Sequence, residues 1–259
     1  MKDQTKSNNQ IYRLIPFEEY EPNLRLALNK IALESVVNGE DPIISLSGWK
    51  PSCINIGYTQ KINNVLNIEE IKKQNIQIVR RESAGGAMYL GEKNDICWGI
   101  IEKNQNKEEN VNLTNIYKQT CQIIINALSE MNIKSKHKII NDVILENGNG
   151  KISGSAIKQI KNITYIHGTL LYKINKEILN KILKPECDHQ KKEKIKESNK
   201  KLSSISLESN TTFENAIKIL EKYLTTGKKY YIKPWTKQEI EKAEILAKQY
   251  SSKEWINKF

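Results

Sequence analysis

Arg80-Arg81-Glu82-Ser83-Ala84-Gly85-Gly86-Ala87-Met88-Tyr89 is the stretch of this sequence that carries most information about its architecture. The apolar run at 76–79 predicts a strand, so the two arginines open a turn at the end of that strand. Glycine lets a backbone bend tightly and approach a ligand, and N–H groups exposed in such a turn form a concavity that binds anions. Because successive strand residues point to opposite faces, we expect only one arginine to enter a pocket.

A second stretch, Gly150-Lys151-Ile152-Ser153-Gly154-Ser155-Ala156, surrounds one lysine with small residues. It follows the Asn-Gly turn at 146–150, which is typical of a β-hairpin. The small residues leave room for a flat ligand, and the Lys151 ammonium is suited to neutralise charge that develops near an attacked acyl carbon. We therefore predict that Lys151 belongs to a ligand site, although most lysines of so lysine-rich a chain lie on the surface.

Two further groups are less specific. Asn141 and Asp142 lie across the predicted hairpin from Lys151, where a carboxylate suits the Mg²⁺ that accompanies a nucleotide. His167-Gly168-Thr169 lies on a later predicted strand. His167 is either a base or a packed histidine whose ring nitrogens are satisfied by hydrogen bonds, and the sequence leaves the two interpretations open.

Composition limits the classes of function. The 259 residues carry a formal charge of +11, from 41 Lys and Arg against 30 Asp and Glu. The lysines are spread among isoleucines and asparagines, with no interleaved aromatic residues, so we expect no nucleic-acid partner. No apolar run reaches the ~18 to 20 residues that cross a bilayer, and the N-terminus shows no apolar signal segment. A cytoplasmic protein with no membrane partner is the expectation.

The four cysteines form no metal-ligand spacing, and we expect reduced thiols. Cys53, Cys97 and Cys121 lie in apolar segments, which favours a place in the core. Cys187 is different because it follows Pro185 in a polar segment rich in lysine, and these surroundings expose a thiol and lower its pKa.

The apolar periodicity predicts most of the regular structure. The predicted helices cover 23–33, 67–74, 113–131, 176–183, 212–225 and 236–250, with N-caps at Asn67 and Thr211 or Thr212 and a capping box from Thr236 to Glu239. The predicted strands cover 43–46, 53–58, 76–79, 96–101, 139–145, 151–156 and 163–172. We expect a flexible N-terminus at 1–10, one catalytic domain at 11–259 and a mobile charged loop at 188–201.

Taken together, the three stretches resemble the lipoate-protein ligase A family, within the lipoyl and biotinyl ligases and octanoyltransferases. Residues 80–91 resemble its pattern Arg-Arg-x-Ser/Thr-Gly-Gly-Gly-Ala-Val-Tyr/Phe-His-Asp, Lys151 to Ala156 its Lys-Ile/Val-Ser-Gly-Ser-Ala, and His167 to Leu171 its His-Gly-Thr-Leu-Leu. The likeness covers about residues 15–256, and three motifs in the right order are far more specific than any one.

The resemblance implies an α+β domain of mixed β-sheets flanked by helices. It implies a ligase that uses ATP and Mg²⁺ to make lipoyl-AMP from lipoate and passes the lipoyl group to a lysine of an apo lipoyl-domain protein, of the 2-oxoacid dehydrogenase E2 or glycine cleavage H type. Lys151 is then the essential catalytic residue and touches both acyl group and phosphate. The nucleotide residues are Arg81, Gly86, Ala87, Met88, Tyr89, Asn141 and Asp142, with Asp142 as the metal ligand; the lipoyl residues are Ser83, Gly85, Gly154, His167, Gly168 and Thr169.

The sequence departs from the family pattern at two places in the first motif. Ala84 replaces a glycine, and Leu90-Gly91 replaces His-Asp. The last residues, Glu254 to Phe259, resemble the segment after which many ligases continue into an accessory domain, so a separate accessory polypeptide is expected.

Two alternatives stay open. An octanoyltransferase transfers its acyl group through a thioester on cysteine without ATP, and Cys187 lies near the position that one branch of these enzymes uses. A non-catalytic protein that binds lipoyl domains is the second alternative, since Ala84 and Leu90 would fit lost activity.

Overall fold

The computed structural model describes residues 10–104, 112–138, 140–184 and 202–259. Its strands are β1 Ile11–Tyr20, β2 Ile43–Trp49, β3 Cys53–Ile56, β4 Gln77–Arg80, β5 Met88–Leu90, β6 Asp95–Lys103, β7 Ser135–Lys138, β8 Asp142–Leu145, β9 Lys151–Ile160, β10 Ile163–Leu171 and β11 Lys229–Ile232. Its helices are α1 Pro22–Val37, α2 Ile62–Val65, α3 Ile68–Lys73, α4 Leu113–Glu130, α5 Lys176–Ile182, α6 Ile205–Glu208, α7 Phe213–Thr225, α8 Lys237–Tyr250 and α9 Lys253–Ile256.

The strands form a large and a small sheet. The large sheet has the order β11-β1-β2-β6-β10-β9-β8-β7, and the small one has the order β4-β3-β5. Both are mixed. In the large sheet β1 pairs in parallel with β11 and β2 while β6, β10 and β9 pair antiparallel, and in the small sheet β3 pairs in parallel with β4 and antiparallel with β5. The α+β fold with mixed sheets and flanking helices is therefore confirmed.

Helices cover both faces of the large sheet. Leu14 of β1 and Ile44 of β2 pack with α4 and α7 on one face. Their sequence neighbours Ile15 and Ile43 pack with α1 on the other face. This division follows from the two-residue period of a strand. The small sheet and α8 lie on the α1 side, where they share a core with Trp49 of β2.

The predicted helix starts are confirmed at atomic detail. The Asn67 side chain accepts the Glu70 N–H, and Thr236 and Glu239 form a reciprocal capping box at the start of α8. Glu239 also forms an ion pair with the buried Arg13, in which Arg13 Nη1 lies 2.5 Å from Glu239 Oε1. Burial alone would raise the pKa of Glu239, but the hydrogen bonds from Arg13 and Thr236 outweigh it and lower that pKa to about 2. The Glu239 carboxylate therefore both caps α8 and forms a long-range ion pair with β1.

The predicted strand at 139–145 is confirmed only at 142–145, which form β8. Its predicted start is wrong, because the chain turns there between β7 and β8, and Ile140 in this turn is 63% exposed. Strand β7 contains no apolar residue, so it shows no apolar alternation. Asn141 then binds the Ser155 carbonyl through its side-chain amide, which attaches this turn to β9.

Strand β1, at 11–20, is absent from the predicted set. Pro16 interrupts its apolar run, and proline is a poor residue for a strand interior. In the structure the register with β2 shifts between Ile15 and Glu18, so Pro16 lies in an irregularity of the ladder. The exposed strand β11 is likewise found only in the structure.

Several predictions fall partly or wholly outside the described residues. Residues 1–9 and 188–201 lie there, as does Cys187, so the flexible N-terminus, the mobile loop and the single-domain organisation stay predictions. Among the described helices we find none with the length and apolarity to span a membrane.

Arg80 fastens the small sheet to its surroundings. It is fully buried, and its guanidinium donates hydrogen bonds to the carbonyls of Gly57, Tyr58, Gln60 and Ile256. These carbonyls belong to the turn after β3 and to α9. The arginine at the end of β4 is therefore a structural residue, and the other arginine of the pair is left to serve the pocket.

We expect Arg80→Lys to lower the free energy of unfolding by about 2 kcal/mol or more. Lysine has fewer N–H donors than arginine, so some of the buried carbonyls would be left unpaired. Urea denaturation of both proteins measures this. A loss below about 0.5 kcal/mol, the size of an ordinary surface change, would contradict the assigned role.

Candidate functional site

A cavity of about 400 Å³ opens between α1, the small sheet and the α1 face of the large sheet. Its wall brings together all three stretches singled out in the sequence, although they are far apart along the chain. The predicted site residues that line it are Arg81, Ser83, Gly85, Gly86, Ala87, Met88, Tyr89, Asn141, Lys151, Gly154, His167, Gly168 and Thr169. Asp142 is not part of the cavity wall, but its carboxylate is partly exposed and contacts Lys151, which is part of it.

The arginine-glycine turn (residues 81–87) wraps around the Arg81 side chain. Arg81 donates to the carbonyls of Asn55 and Ala84 at 3.1 Å and of Gly86 at 3.0 Å. Gly85 has a φ of +118°, and a Cβ there would lie 2.7 Å from Arg81 Nη2. Burial lowers the pKa of Arg81 to about 10, so the guanidinium stays charged at neutral pH. Glycine is required here both for the backbone angle and for the close approach.

The same turn rests on the end of β3. A Cβ at Gly57 would lie 2.1 Å from the Gly85 carbonyl oxygen. The Tyr58 N–H donates to the Ser83 carbonyl at 2.9 Å, and the Gly57 N–H donates to Gln60 Oε1 at 2.9 Å. Gly57 thus determines how closely the arginine-glycine turn approaches β3. Its position at the end of a strand was the only sign of this role in the sequence.

The two departures from the family pattern have different structural settings. Ala84 is exposed and lies outside the left-handed region, so its Cβ brings no backbone strain. Leu90 is 2% exposed and packs into the core beside Trp49 and Cys97. The N–H of Gly91 donates to the buried Asp95 carboxylate at 2.8 Å. The turn therefore accepts alanine, while Leu90 belongs partly to the core under the cavity.

Lys151 is held at the cavity wall by Asp142. Its Nζ lies 2.6 Å from Asp142 Oδ1, and the lysine side chain is 38% exposed. A Cβ at Gly154 would lie 2.8 Å from Lys151 Nζ, so the glycine opposite Asp142 provides the room for this ammonium. The ion pair holds an ammonium in the cavity while leaving it partly accessible to a ligand.

His167 is a weak base in this site. Its ring stacks on Tyr165 with a centroid distance of 4.8 Å. Burial, together with the positive charges of Arg25, Arg81 and Lys158, lowers the pKa of His167 to about 3. The imidazole is therefore neutral at physiological pH, and of the two interpretations left open by the sequence the structure favours a packed histidine over a general base.

Glu82 is a site residue that sequence reasoning missed. Its carboxylate lies 2.6 Å from Lys158 Nζ and 3.7 Å from Lys30 Nζ, and it accepts the Tyr250 hydroxyl at 2.8 Å. Burial raises the pKa of Glu82, but the hydrogen bonds and positive charges outweigh it and lower that pKa. Glu82 thereby connects the arginine-glycine turn to α1, β9 and α8. Its position inside the first motif was the only available signal, because its partners are remote in sequence.

Gly57→Ala should destabilise the protein by about 2 kcal/mol, the usual size of an overpacking effect, because its Cβ meets the Gly85 carbonyl. Gly86→Ala is the matched control: a Cβ there meets nothing within 4 Å, and we expect its effect on stability to be within about 1 kcal/mol. Thermal or urea unfolding measures both. Equal effects of the two substitutions would contradict the contact between the turns.

His167 should make stability depend on pH. Its folded pKa of about 3 lies below the unfolded value, so the unfolded chain binds the proton first and stability falls as the pH drops from about 6 to 4. We expect this fall to be steeper by about 1 kcal/mol per pH unit in the wild type than in His167→Gln. Parallel curves of unfolding free energy against pH would contradict the low pKa.

Comparison with known proteins gives both ligases and transferases. Lipoate–protein ligase 1 of Plasmodium falciparum is 31% identical over 203 residues, which make up 76% of this chain and 46% of that ligase. The present chain therefore spans less than half the length of that relative. The octanoyltransferase LipM of Geobacillus kaustophilus is 23% identical over an alignment 275 positions long, gaps included, which covers 95% of this chain and 98% of the transferase.

Solved structures share the fold. A bi-partite lipoate protein ligase from Thermoplasma acidophilum, studied with its E2 lipoyl domain, matches with a TM-score of 0.83 at 20% identity and covers 96% of this chain and 98% of its own. A lipoate-protein ligase A bound with ATP matches with a TM-score of 0.80 at 18% identity, over 95% and 98% of the two chains.

The family is shown by the sequence itself. Residues 21–225 match the lipoyl protein ligase A/B catalytic domain, and this span contains every part of the cavity wall except Tyr250 of α8. The chain belongs to the lipoyl protein ligase A/B catalytic domain family.

Proposed function

We propose that this protein is a lipoate–protein ligase that activates lipoate with ATP and transfers the lipoyl group to a lysine of an apo lipoyl-domain protein. The observation that carries the proposal is the position of Lys151, a partly exposed ammonium fixed beside small residues at the cavity wall. In the first step a lipoate carboxylate oxygen attacks the α-phosphorus of ATP, and pyrophosphate leaves. In the second the acceptor amine attacks the acyl carbon, and AMP and a proton leave.

The cavity wall supplies what the acyl adenylate requires. Arg81 and Lys151 are cations that would face the phosphate, and the exposed backbone of Gly85 and Gly86 lets a ligand approach closely. Ser83 lines the cavity, and its buried hydroxyl has no hydrogen-bond partner among the described residues. Neutral His167 and Thr169 would border the acyl chain. A preorganised cation at a carbonyl whose charge grows in the transition state contributes a few kcal/mol to catalysis.

The residues near Lys151 fit a Mg²⁺ that arrives with the nucleotide. Mg²⁺ commonly takes one or two carboxylates and completes its shell with phosphates and water. Asp142 is the carboxylate beside Lys151, and Asn141 lines the cavity next to it. Within the described ranges no three His, Cys, Asp or Glu side chains gather into a metal site. Asp142 and the phosphates would hold the ion, which would offset phosphate charge.

An octanoyltransferase is the second candidate, because the LipM relative matches over nearly its full length. Such an enzyme needs a reactive thiol. Cys97 lines the cavity, but it accepts the Trp49 indole N–H, and burial raises its pKa. Burial also raises the pKa of Cys53 and Cys121. The candidate thiol is therefore Cys187, which lies outside the described residues.

The proposed acceptor is an apo lipoyl domain of the E2 or glycine cleavage H type. The archaeal structure pairs a bi-partite ligase with its E2 lipoyl domain, so a second polypeptide belongs in any assay. A cytoplasmic location stays a prediction.

We expect Lys151→Ala to reduce the ATP-dependent lipoylation of an apo lipoyl domain by at least about 100-fold, because the transition-state charge loses its cation. Lys136→Ala is the matched control, since Lys136 is an exposed lysine on β7, two strands from β9 in the same sheet. Mass spectrometry of the acceptor, with and without a candidate accessory polypeptide, measures the transfer. Equal activity of the two variants would contradict the role of Lys151.

The same assay separates the two candidate reactions. A ligase keeps its activity in Cys187→Ser and needs ATP. Transfer from an octanoyl carrier protein that proceeds without ATP and is lost in Cys187→Ser would favour the transferase.

A further inference from the structure

The arginines of this chain are few and are all inside the protein. The sequence contains four arginines against 37 lysines. Arg13, Arg25 and Arg80 are 8%, 7% and 0% exposed, and Arg81 lines the cavity. A guanidinium presents several N–H groups in a fixed plane, which an ammonium cannot do. We therefore expect each arginine side chain to form several hydrogen bonds in the plane of its guanidinium.

Three of the four have such partners within the protein. Arg13 binds the Glu239 carboxylate and two backbone carbonyls. Arg80 binds four carbonyls and Arg81 binds three. Their roles are thus accounted for by the fold and by the arginine-glycine turn.

Arg25 on α1 is different. Its Nε is buried and has no hydrogen-bond partner in the part of the chain that the structure describes. Its guanidinium lies over the Trp49 ring at 4.1 Å, and the Trp49 indole N–H donates to Cys97 Sγ at 3.1 Å, which fixes the ring. Arg25, Trp49 and Cys97 all line the cavity. A buried charge without a hydrogen bond is costly, so we expect a partner from beyond the described residues, and a ligand bound in the cavity can supply it.

The nearby carboxyl group does not neutralise this charge. Asp95 lines the cavity and is 1% exposed, but its carboxylate accepts the Gly91 N–H and forms no ion pair with Arg25. Burial raises the pKa of Asp95 to about 8, so the carboxyl is mostly protonated at neutral pH. The wall around Arg25 therefore has a positive charge and a free donor.

Arg25 lies away from Lys151 across the sheet. Gly154 beside Lys151 pairs with Thr169, Thr169 pairs with Cys97, and these three line the cavity on the consecutive strands β9, β10 and β6. Trp49 follows on β2, which pairs with β6. Three strand spacings correspond to roughly 14 Å. A ligand whose carboxyl group is at Lys151 would thus extend its far end toward Arg25.

We propose that Arg25 makes the cavity selective for acyl chains that carry a hydrogen-bond acceptor at their distal end, over saturated chains of equal length. The inference rests on the proposed function for the identity of the ligand as a carboxylic acid. An alkyl end would leave the Arg25 N–H unpaired, as it is in the free protein, whereas a distal oxygen, or more weakly a ring sulfur, would gain a hydrogen bond from it. Arg25 is then a specificity-determining residue.

The test compares 8-hydroxyoctanoate with octanoate by calorimetric binding to the wild type, Arg25→Met and Arg13→Met. We expect the ratio of the octanoate Kd to the 8-hydroxyoctanoate Kd to fall about 10-fold in Arg25→Met, the effect of one hydrogen bond to a charged group. Arg13→Met removes an equally buried arginine away from the cavity, so it should lower the Tm and leave the ratio unchanged. If Arg25→Met does not fold, Arg25→Leu, which also has no hydrogen-bond donor, replaces it with the same expectation.

A fall of threefold or more in Arg25→Met alone supports the inference. A smaller change, an equal change in Arg13→Met, or no binding of either acid to the wild type overturns it. Because binding is measured without ATP or acceptor, failure of the ligase reaction is seen separately: selective binding with no acyl transfer would refute the ligase and leave the selectivity of Arg25 standing.

Discussion

The site depends on the division of work between two consecutive arginines at the end of β4. Arg80 turns into the core and binds carbonyls of the turn after β3 and of α9. Arg81 turns toward the cavity and organises the arginine-glycine turn around its guanidinium. Their opposite directions follow from the two-residue period of the strand. One residue thus fixes the support on which the other forms the ligand surface.

Ion pairs then set the positions of three lysines of the cavity wall. Asp142 holds Lys151, and Glu82 holds Lys158 while reaching Lys30. Each carboxylate comes from an element next to the cavity, so the lysines are oriented without being removed from it. An acyl phosphate would meet positive charge that is already in place, which is the arrangement that lowers the barrier to a charged transition state most effectively. The Arg25 guanidinium, which lies over the Trp49 ring, adds a further positive charge to the cavity wall.

Local signals made much of this predictable from the sequence. The caps at Asn67 and Thr236, the hairpin before Lys151 and the opposite directions of Arg80 and Arg81 all depend on residues a few positions apart. The pattern failed where long-range packing overrides it. Strand β1 contains a proline at an irregularity of its ladder, and β7 has no apolar residue, so neither shows a strand pattern.

The contacts of Glu82 with Lys30, Lys158 and Tyr250 depend on α1, β9 and α8 coming together in three dimensions, and the stacking of Arg25 on Trp49 depends on the packing of α1 against β2. No spacing in the sequence encodes such a meeting. The motif residues could therefore be named in advance. The groups that orient them, and the Arg25 Nε that has no hydrogen-bond partner among the described residues, required the structure.

The most direct measurement of the central claim is the release of pyrophosphate from ATP on addition of lipoate, in the absence of an acceptor domain. An adenylating site built on Lys151 predicts lipoate-dependent release by the wild type, with any accessory polypeptide that it needs, and none by Lys151→Ala. Acyl transfer from a carrier-protein thioester, with no pyrophosphate released under any of these conditions, would contradict it.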